Sequence, residues 1–382
     1  MSSLYANWSF PTSIRFGVGR IRELAEACRD SGVHRPLLVT DRGLAKLPIA
    51  SNALEILADD GLECGLYSEV DPNPSELNLA AGLETFRQGE FDGVVAFGGG
   101  SGIDLGKMIA FMVGQTRPIW DFEDVGDWWT RADAAAIAPI VAVPTTAGTG
   151  SEVGRASVIT NSETRVKKII FHPRVLPTAV ISDPELTVGM PPAVTAGTGM
   201  DAFAHCLEAY CSPNFHPMCQ GIALEGLRLV KNNLQRAFVD GADMEARANM
   251  MSAASMGAVA FQKGLGAIHA ISHPVGSLFG THHGTTNAVV IPQALEFNRS
   301  AIEGKIELAT AYLGIEGGFE GFLGFCRELT TSLNIPTNLT ALGAAPDRIE
   351  EMAKMALDDP SAASNPVPMT YENTLELYRS CL

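Results

Sequence analysis

No stretch of this sequence approaches the roughly 20 uninterrupted apolar residues that a bilayer-spanning helix needs. Its first residues, MSSLYANWSFPTSIRFG, lack the basic stretch followed by an apolar run that marks a secretory leader. Cationic residues are scarce as well. Against 43 Asp and Glu stand 27 Lys and Arg, and the resulting net charge of −16 repels phosphate backbones and anionic lipid surfaces. Nucleic acid and membrane therefore fall outside the expected partners, and a cytoplasmic location is expected. The seven cysteines, at 28, 64, 206, 211, 219, 326 and 381, are odd in number and irregularly spaced, so reduced thiols are expected rather than a disulfide framework. Cys206, Cys211, His216 and Cys219 lack the C-x-x-C pairs usual in a zinc knot. Internal repeats, low-complexity tracts and long charge runs are also absent, which removes solenoids and disordered tails.

What is present is an ordinary folded composition, 46% hydrophobic and 18% charged over 382 residues, enough for two domains. In the first half, RPLLVTD (35–41), FDGVVAFGGG (91–100) and IAPIVAVPTT (137–146) read as buried strands. NALEILADDGLE and SELNLAAGLETFRQG between them carry apolar residues at helical spacing. Alternation of this kind predicts a parallel sheet with crossover helices. From about Pro184 strand-like runs give way to AVTAGTGMDAFAHCLEAYC, QGIALEGLRLVKNNLQRAF and DMEARANMMSAASMGAVAF, which favour helix. The expected organisation is an α/β domain over 1–183 and a helical domain over 184–382.

Gly98, Gly99, Gly100, Ser101 and Gly102 follow a strand and open a helical pattern, an arrangement whose free N–H groups and helix dipole favour a pyrophosphate. The loop is neither a Walker A motif nor a strict G-x-G-x-x-G, and a plain tight turn is the alternative. Asp41 ends its strand where a carboxylate accepts from an adenosine ribose and repels a 2′-phosphate, favouring NAD over NADP, although a turn former fits that position equally. PTTAGTGSE (144–152) offers small and hydroxyl residues for a cofactor pocket, or a simple turn.

Asp201 and His205 are four apart, so on a helix they face the same way. With His269 and His283 they make one carboxylate and three imidazoles, a set suited to a divalent transition metal. A metal beside a nucleotide indicates redox catalysis.

GGGSGIDLGK, PTTAGTGSE, ISDPELT, MPPAVTAGTGMDAFAH, GLGAIHAISHP and HHGTTNAVVIP together resemble the iron-containing, group III alcohol dehydrogenases, over essentially the whole chain. The resemblance implies a dehydroquinate synthase-like fold: an N-terminal dinucleotide-binding α/β domain, an all-helical C-terminal domain and an active site in the cleft between. It implies a metal held by Asp201, His205, His269 and His283, usually Fe²⁺ and sometimes Zn²⁺. His273 becomes a proton-relay or positioning group, with His282 the weaker ligand of its pair. Gly98, Gly99, Gly100, Ser101 and Asp104 would approach the pyrophosphate and Asp41 the ribose. Thr145, Thr146 and Thr149 would lie around the cofactor, and Lys167, or its neighbour Lys168, would reach the nicotinamide ribose. A homodimer or larger assembly is implied too.

The chemistry expected is reversible hydride transfer between a small alcohol or aldehyde and NAD. Gln262 and Lys263, just before the metal-binding histidines, add a cation that could attract the far acid group of an ω-hydroxy acid or semialdehyde. A solvated rim lysine is the plainer reading of Lys263. A metal-independent maleylacetate reductase would not need the full ligand set, and a dehydroquinate synthase-like lyase would need more cations than 193–291 contains. An NAD-binding regulator without catalysis is a third alternative.

Overall fold

The computed structural model describes residue 10 and residues 12–382; most of the N-terminal segment read above for a leader lies outside the described residues. The chain forms two compact units: Phe10–Thr146 with Gly150–Val188, and Gly189–Leu382 with Ala147–Thr149.

The first unit is built on a six-stranded, wholly parallel sheet. Its strands are β1 (Ser13–Phe16), β2 (Pro36–Asp41), β3 (Gly65–Val70), β4 (Gly93–Gly98), β5 (Ile140–Pro144) and β8 (Ala179–Ser182). A separate antiparallel hairpin joins β6 (Ala156–Thr160) to β7 (Lys167–Phe171). The sheet order is β1-β8-β5-β4-β2-β3. Helices α1 (Leu24–Asp30), α2 (Pro48–Asp59), α3 (Glu76–Gln88) and α4 (Gly100–Met112) cover it. The central strands are apolar without interruption because both faces are buried. Leu37, Val39, Val94, Ala96 and Ile140 pack with Leu79, Phe86, Ile103 and Ile109 of α3 and α4. The alternate residues Leu38, Val95, Phe97, Val141 and Val143 pack with Leu24, Ala53 and Leu57 of α1 and α2.

This order reverses direction between β2 and β4: β2 is followed outward by β3, whereas β4 is followed by β5 on its other side. Ligands of open parallel sheets bind beyond the carboxyl ends of strands at such a switch point. Asp41 ends β2 and Gly98 ends β4, so the two sequence candidates flank it.

The strands expected at 35–41, 91–100 and 137–146 are β2, β4 and β5 with trimmed ends. Sequence reading did not find β1, β3, β8 or the hairpin. β3 lies at a sheet edge, buries only Tyr67 and Val70 and carries no continuous apolar run.

The second unit is helical: α5 (Pro192–Cys211), α6 (Pro217–Val239), α7 (Met244–Ala260), α8 (Ala267–Phe279), α9 (His283–Leu313), α10 (Gly318–Ser332), α11 (Ile349–Leu357) and α12 (Tyr371–Cys381). Its core includes Phe203, Leu207, Leu227, Leu234, Ile271, Ile291 and Phe322. Pro192 starts α5 at its first helical position, where a missing N–H costs nothing. All seven cysteines are free thiols. Among the described residues no helix is long and apolar enough to cross a membrane.

Candidate functional site

Three elements of the helical unit converge on one carboxylate. Asp201 and His205 lie one turn apart on α5, His269 is in the first turn of α8, and His283 is the first residue of α9. The Oδ1 atom of Asp201 lies 3.7 Å from Nε2 of His205, 3.8 Å from Nε2 of His269 and 3.3 Å from Nε2 of His283. Asp201, His205 and His269 each place a donor atom within 4.8 Å of the others. Bonds of about 2.1 Å at tetrahedral angles set ligand atoms about 3.4 Å apart. The spacing and the donor chemistry therefore fit one divalent cation. His205 and His269 stack face to face, as do His273 and His283.

Close helix approach makes this convergence possible. A Cβ on Gly284 would lie 1.9 Å from the carbonyl oxygen of Gly197 and 2.9 Å from Cβ of Asp201, so only glycine lets the start of α9 cross α5 at this level. His282 caps α9 by accepting from the Thr285 amide at 3.4 Å, a role separate from the ligand cluster.

The electrostatics favour a positive guest. Burial works against ionising Asp201, yet the surrounding histidines hold its carboxyl well below the usual carboxylate range. Burial also pulls His269 down, but Glu208 and Asp201 outweigh it and raise the imidazole to about 10. For His205 burial dominates and lowers it to about 4, and desolvation also lowers the more open His283, leaving neutral rings with free lone pairs. Asp201, His205 and His269 are buried, whereas the His283 side chain keeps 31% of its surface, making it the open corner of the cluster.

Three supporting residues escaped the sequence reading. Glu208 Oε2 lies 2.5 Å from Nδ1 of His269. The Asn287 amide donates to Asp201 Oδ1 at 2.9 Å while its own oxygen accepts from Ser272 at 2.5 Å. Asp359 Oδ2 lies 2.7 Å from Nδ1 of His273, the proposed proton-relay group. The first two had a signal available: Glu208 continues the face of Asp201 and His205 at i+7, and Asn287 is four residues beyond His283.

The expectation for Lys263 is corrected. Its ammonium is buried and donates to the carbonyls of Ala209 at 2.8 Å, Tyr210 at 3.2 Å and Ser212 at 2.5 Å, which occupies all three of its protons. It closes the C-terminal end of α5, where cations are favoured, instead of presenting charge to a substrate. Gln262 folds back onto the Val259 carbonyl at 2.8 Å.

In the α/β unit, Gly98 takes φ 144°, a left-handed conformation suited to glycine, and α4 begins two residues later. A Cβ on Gly99 would approach Thr146 at 3.2 Å. Ser101 donates its hydroxyl to the Pro72 carbonyl at 2.6 Å, so its backbone N–H is what remains for a phosphate. Asp41 Oδ1 accepts from the amides of Gly43 and Leu44 at 2.8 and 2.9 Å, which makes it the turn former that the sequence left open.

Asp104 departs from its expected role. One oxygen accepts from the Ser151 hydroxyl and the other from the Val158 amide at 3.0 Å, fastening α4 to the segment entering β6. The fully buried Lys107, one turn on, donates to the carbonyls of Ser151 and Ala156 at 2.9 and 2.5 Å. The choice between the lysines of β7 also narrows: Lys168 pairs with Glu123 at 3.0 Å, while Lys167 is lowered by burial, with Asp104 opposing. Thr145 donates its amide to the Gly98 carbonyl at 2.9 Å beside the glycine turn. Thr149 belongs to the Ala147–Thr149 segment grouped with the helical unit.

Comparison with known proteins gives the family. Residues 11–184 match the model for iron-containing alcohol dehydrogenase, and residues 195–382 match the C-terminal model of the Fe-containing alcohol dehydrogenase family. The chain belongs to the iron-containing alcohol dehydrogenase family. A 4-hydroxybutyrate dehydrogenase from Cupriavidus necator is 39% identical over 93% of this chain and 94% of its own length. A 1,3-propanediol dehydrogenase from Klebsiella pneumoniae is 36% identical over 96% of each chain. The crystal structure of a 1,3-propanediol oxidoreductase superposes with a TM-score of 0.94 at 35% identity, covering 99% of this chain and 100% of that one. The α/β sheet followed by a helical unit is the fold of this family, and the chain is an oxidoreductase of the alcohol dehydrogenase type.

Proposed function

We propose that the chain is a metal-dependent, NAD-linked dehydrogenase that interconverts small primary alcohols or ω-hydroxy acids with their aldehydes. The observation that carries this reading is the position of Asp201 Oδ1 within 3.3–3.8 Å of three imidazole nitrogens. Asp201, His205, His269 and His283 would hold the cation, Fe²⁺ or alternatively Zn²⁺. Once bound, such a cation supplies Lewis acidity toward an alcohol or carbonyl oxygen.

The remaining work falls to the chain. Residues 1–183 act as the dinucleotide domain and 184–382 as the metal and substrate domain. The turn of Gly98, Gly99, Gly100 and Ser101 offers backbone N–H groups to the pyrophosphate. Asp41, whose Oδ2 is not used by its turn, accepts from the ribose and disfavours the 2′-phosphate of NADP. Thr145, Thr146, Thr149 and Lys167 complete the cofactor contacts. His273, held at Nδ1 by Asp359, takes or returns the hydroxyl proton at Nε2 while a hydride passes between the alcohol carbon and C4 of the nicotinamide. The ω-hydroxy acid preference is supported by the similarity to a 4-hydroxybutyrate dehydrogenase and no longer by Lys263. Free thiols throughout fit a reducing, cytoplasmic setting. Assembly as a homodimer or larger rests on the family resemblance alone.

The test is anaerobic purification with metal analysis, followed by an NADH-linked screen of aldehydes with and without a terminal acid. His269→Ala and His283→Ala are expected to lose both metal and turnover. Full turnover in either metal-free variant would overturn the reading.

A further inference from the structure

Glu208 shares α5 with two of the four ligands, seven residues after Asp201 and three after His205, so the helix presents all three on one face. It is buried, and the start of α8 engages both of its oxygens. Oε1 accepts from the Ile268 amide at 2.6 Å, and Oε2 lies 2.5 Å from Nδ1 of His269. Asn365 accepts from the adjacent Ala267 amide at 2.9 Å. Two amides that the first turn of α8 leaves without helical partners are thus capped by side chains from other elements.

The geometry points to Glu208 as a positioning residue for the metal centre: its carboxylate accepts the Nδ1 proton of His269, so that a cation displacing any proton on Nε2 meets that nitrogen's lone pair. This inference rests on the metal-dependent reading above. The chemistry of the two donors decides it. A backbone amide can only donate, and Glu208 must also take the imidazole N–H, so the position demands two acceptors. A carboxylate supplies both. A carboxamide has one oxygen, which the Ile268 amide claims, and its NH₂ then faces Nδ1. His269 can meet that group only by accepting at Nδ1, which moves its proton to Nε2 and aims it at Asp201 Oδ1, 3.8 Å away. The site then carries a proton where a ligand lone pair is needed. Outer partners of metal-bound histidines act in this way, and their loss typically weakens metal binding about 10–100-fold.

A plain packing and capping role predicts something different. Glu208→Gln keeps the volume and the Ile268 cap, whereas Glu208→Ala removes both. The experiment measures the affinity for Zn²⁺ alone, by competition with a chromophoric chelator, in the wild-type chain and both variants. Metal-free circular dichroism serves as the fold control. The expected result is that Glu208→Gln, with a wild-type spectrum, binds Zn²⁺ about 10–100-fold more weakly. Wild-type affinity in Glu208→Gln with loss confined to Glu208→Ala overturns the inference and leaves the metal centre standing. A wild-type chain that binds no Zn²⁺ removes the metal-centre reading and the inference with it. Should Glu208→Gln fail to fold, the ¹⁵N shifts of His269 in Zn²⁺-loaded wild-type protein decide: a protonated Nδ1 supports the assignment and an unprotonated Nδ1 overturns it.

Discussion

Nδ1 of His273 lies 2.7 Å from Oδ2 of Asp359, a residue 86 positions further along the chain. The other Asp359 oxygen accepts from the Ser361 amide at 2.9 Å, so the carboxylate both shapes its own turn and fixes the imidazole. In Asp359→Asn the single oxygen stays with Ser361 and an NH₂ group turns to His273. The ring proton then shifts to Nε2, the atom proposed to accept the substrate proton. Turnover with NAD and an alcohol is expected to fall roughly 100-fold with metal content unchanged. Steady-state kinetics alongside metal analysis would show it, and loss of metal in step with activity would contradict it.

Gly284→Ala places a methyl 1.9 Å from the Gly197 carbonyl. Backbone cannot yield as a side chain can, so α9 must move away from α5 and carry His283 with it. Overpacking of this kind costs about 1–3 kcal/mol. A lower melting temperature together with weakened Zn²⁺ binding is expected, whereas Ala at the open position of Gly304, where nothing lies within 4 Å, should leave metal binding alone.

Lys263→Met tests the corrected role of that lysine. Its nitrogen serves the end of α5, where Lys305 also donates to Ser212 at 2.9 Å and to Cys211 at 3.1 Å. Leaving the Ala209 carbonyl unpartnered is expected to cost about 1–3 kcal/mol of stability in a denaturant melt. Activity on a neutral aldehyde and on one with a terminal acid should change by the same factor. Selective loss on the acidic aldehyde would restore a substrate role.

The same lysine gives stability a pH dependence. Burial, aided by the nearby Lys305, lowers Lys263 to about 7, whereas in the unfolded chain it stays charged to about 10.4. Between those values the unfolded state binds the extra proton, so this group makes stability rise with pH, by at most about 1.4 kcal/mol per pH unit. The buried thiols act oppositely. Burial pushes Cys28, Cys206, Cys211 and Cys381 up to about 12, so the native state keeps protons that the unfolded state releases above about 8.5. The prediction therefore concerns a difference: from pH 7 to 9, wild type should gain stability relative to Lys263→Met. Parallel curves for the two would refute it.

The shared direction of Asp201 and His205 was legible because a helix converts their spacing directly into one face. The glycine turn was legible because β2, β4 and β5 are buried on both faces and read as unbroken apolar runs. What stayed hidden depends on partners remote in sequence. Lys263 looks like any exposed cation until α5 brings three carbonyls to it. Asp104 sits in a nucleotide-loop motif, yet its oxygens are taken by Ser151 and Val158, about fifty residues later. Asp183, in the ISDPELT motif, accepts from the amides of Gly19, Ile21 and Glu185 and so ties the loop after β1 to the end of β8. Its carboxylate serves architecture, a role the motif alone does not reveal.

The fastening of α4 to the hairpin bears on the cost of binding. Asp104 and Lys107 anchor residues 151–158 through hydrogen bonds that need no nucleotide to complete them. A receptor already rigid loses little disorder when its guest arrives, so affinity there need not come from many tight contacts. If the dinucleotide lodges against α4 and this hairpin, as proposed above, little of its binding energy would go into ordering the receptor, and the preformed arrangement would favour affinity.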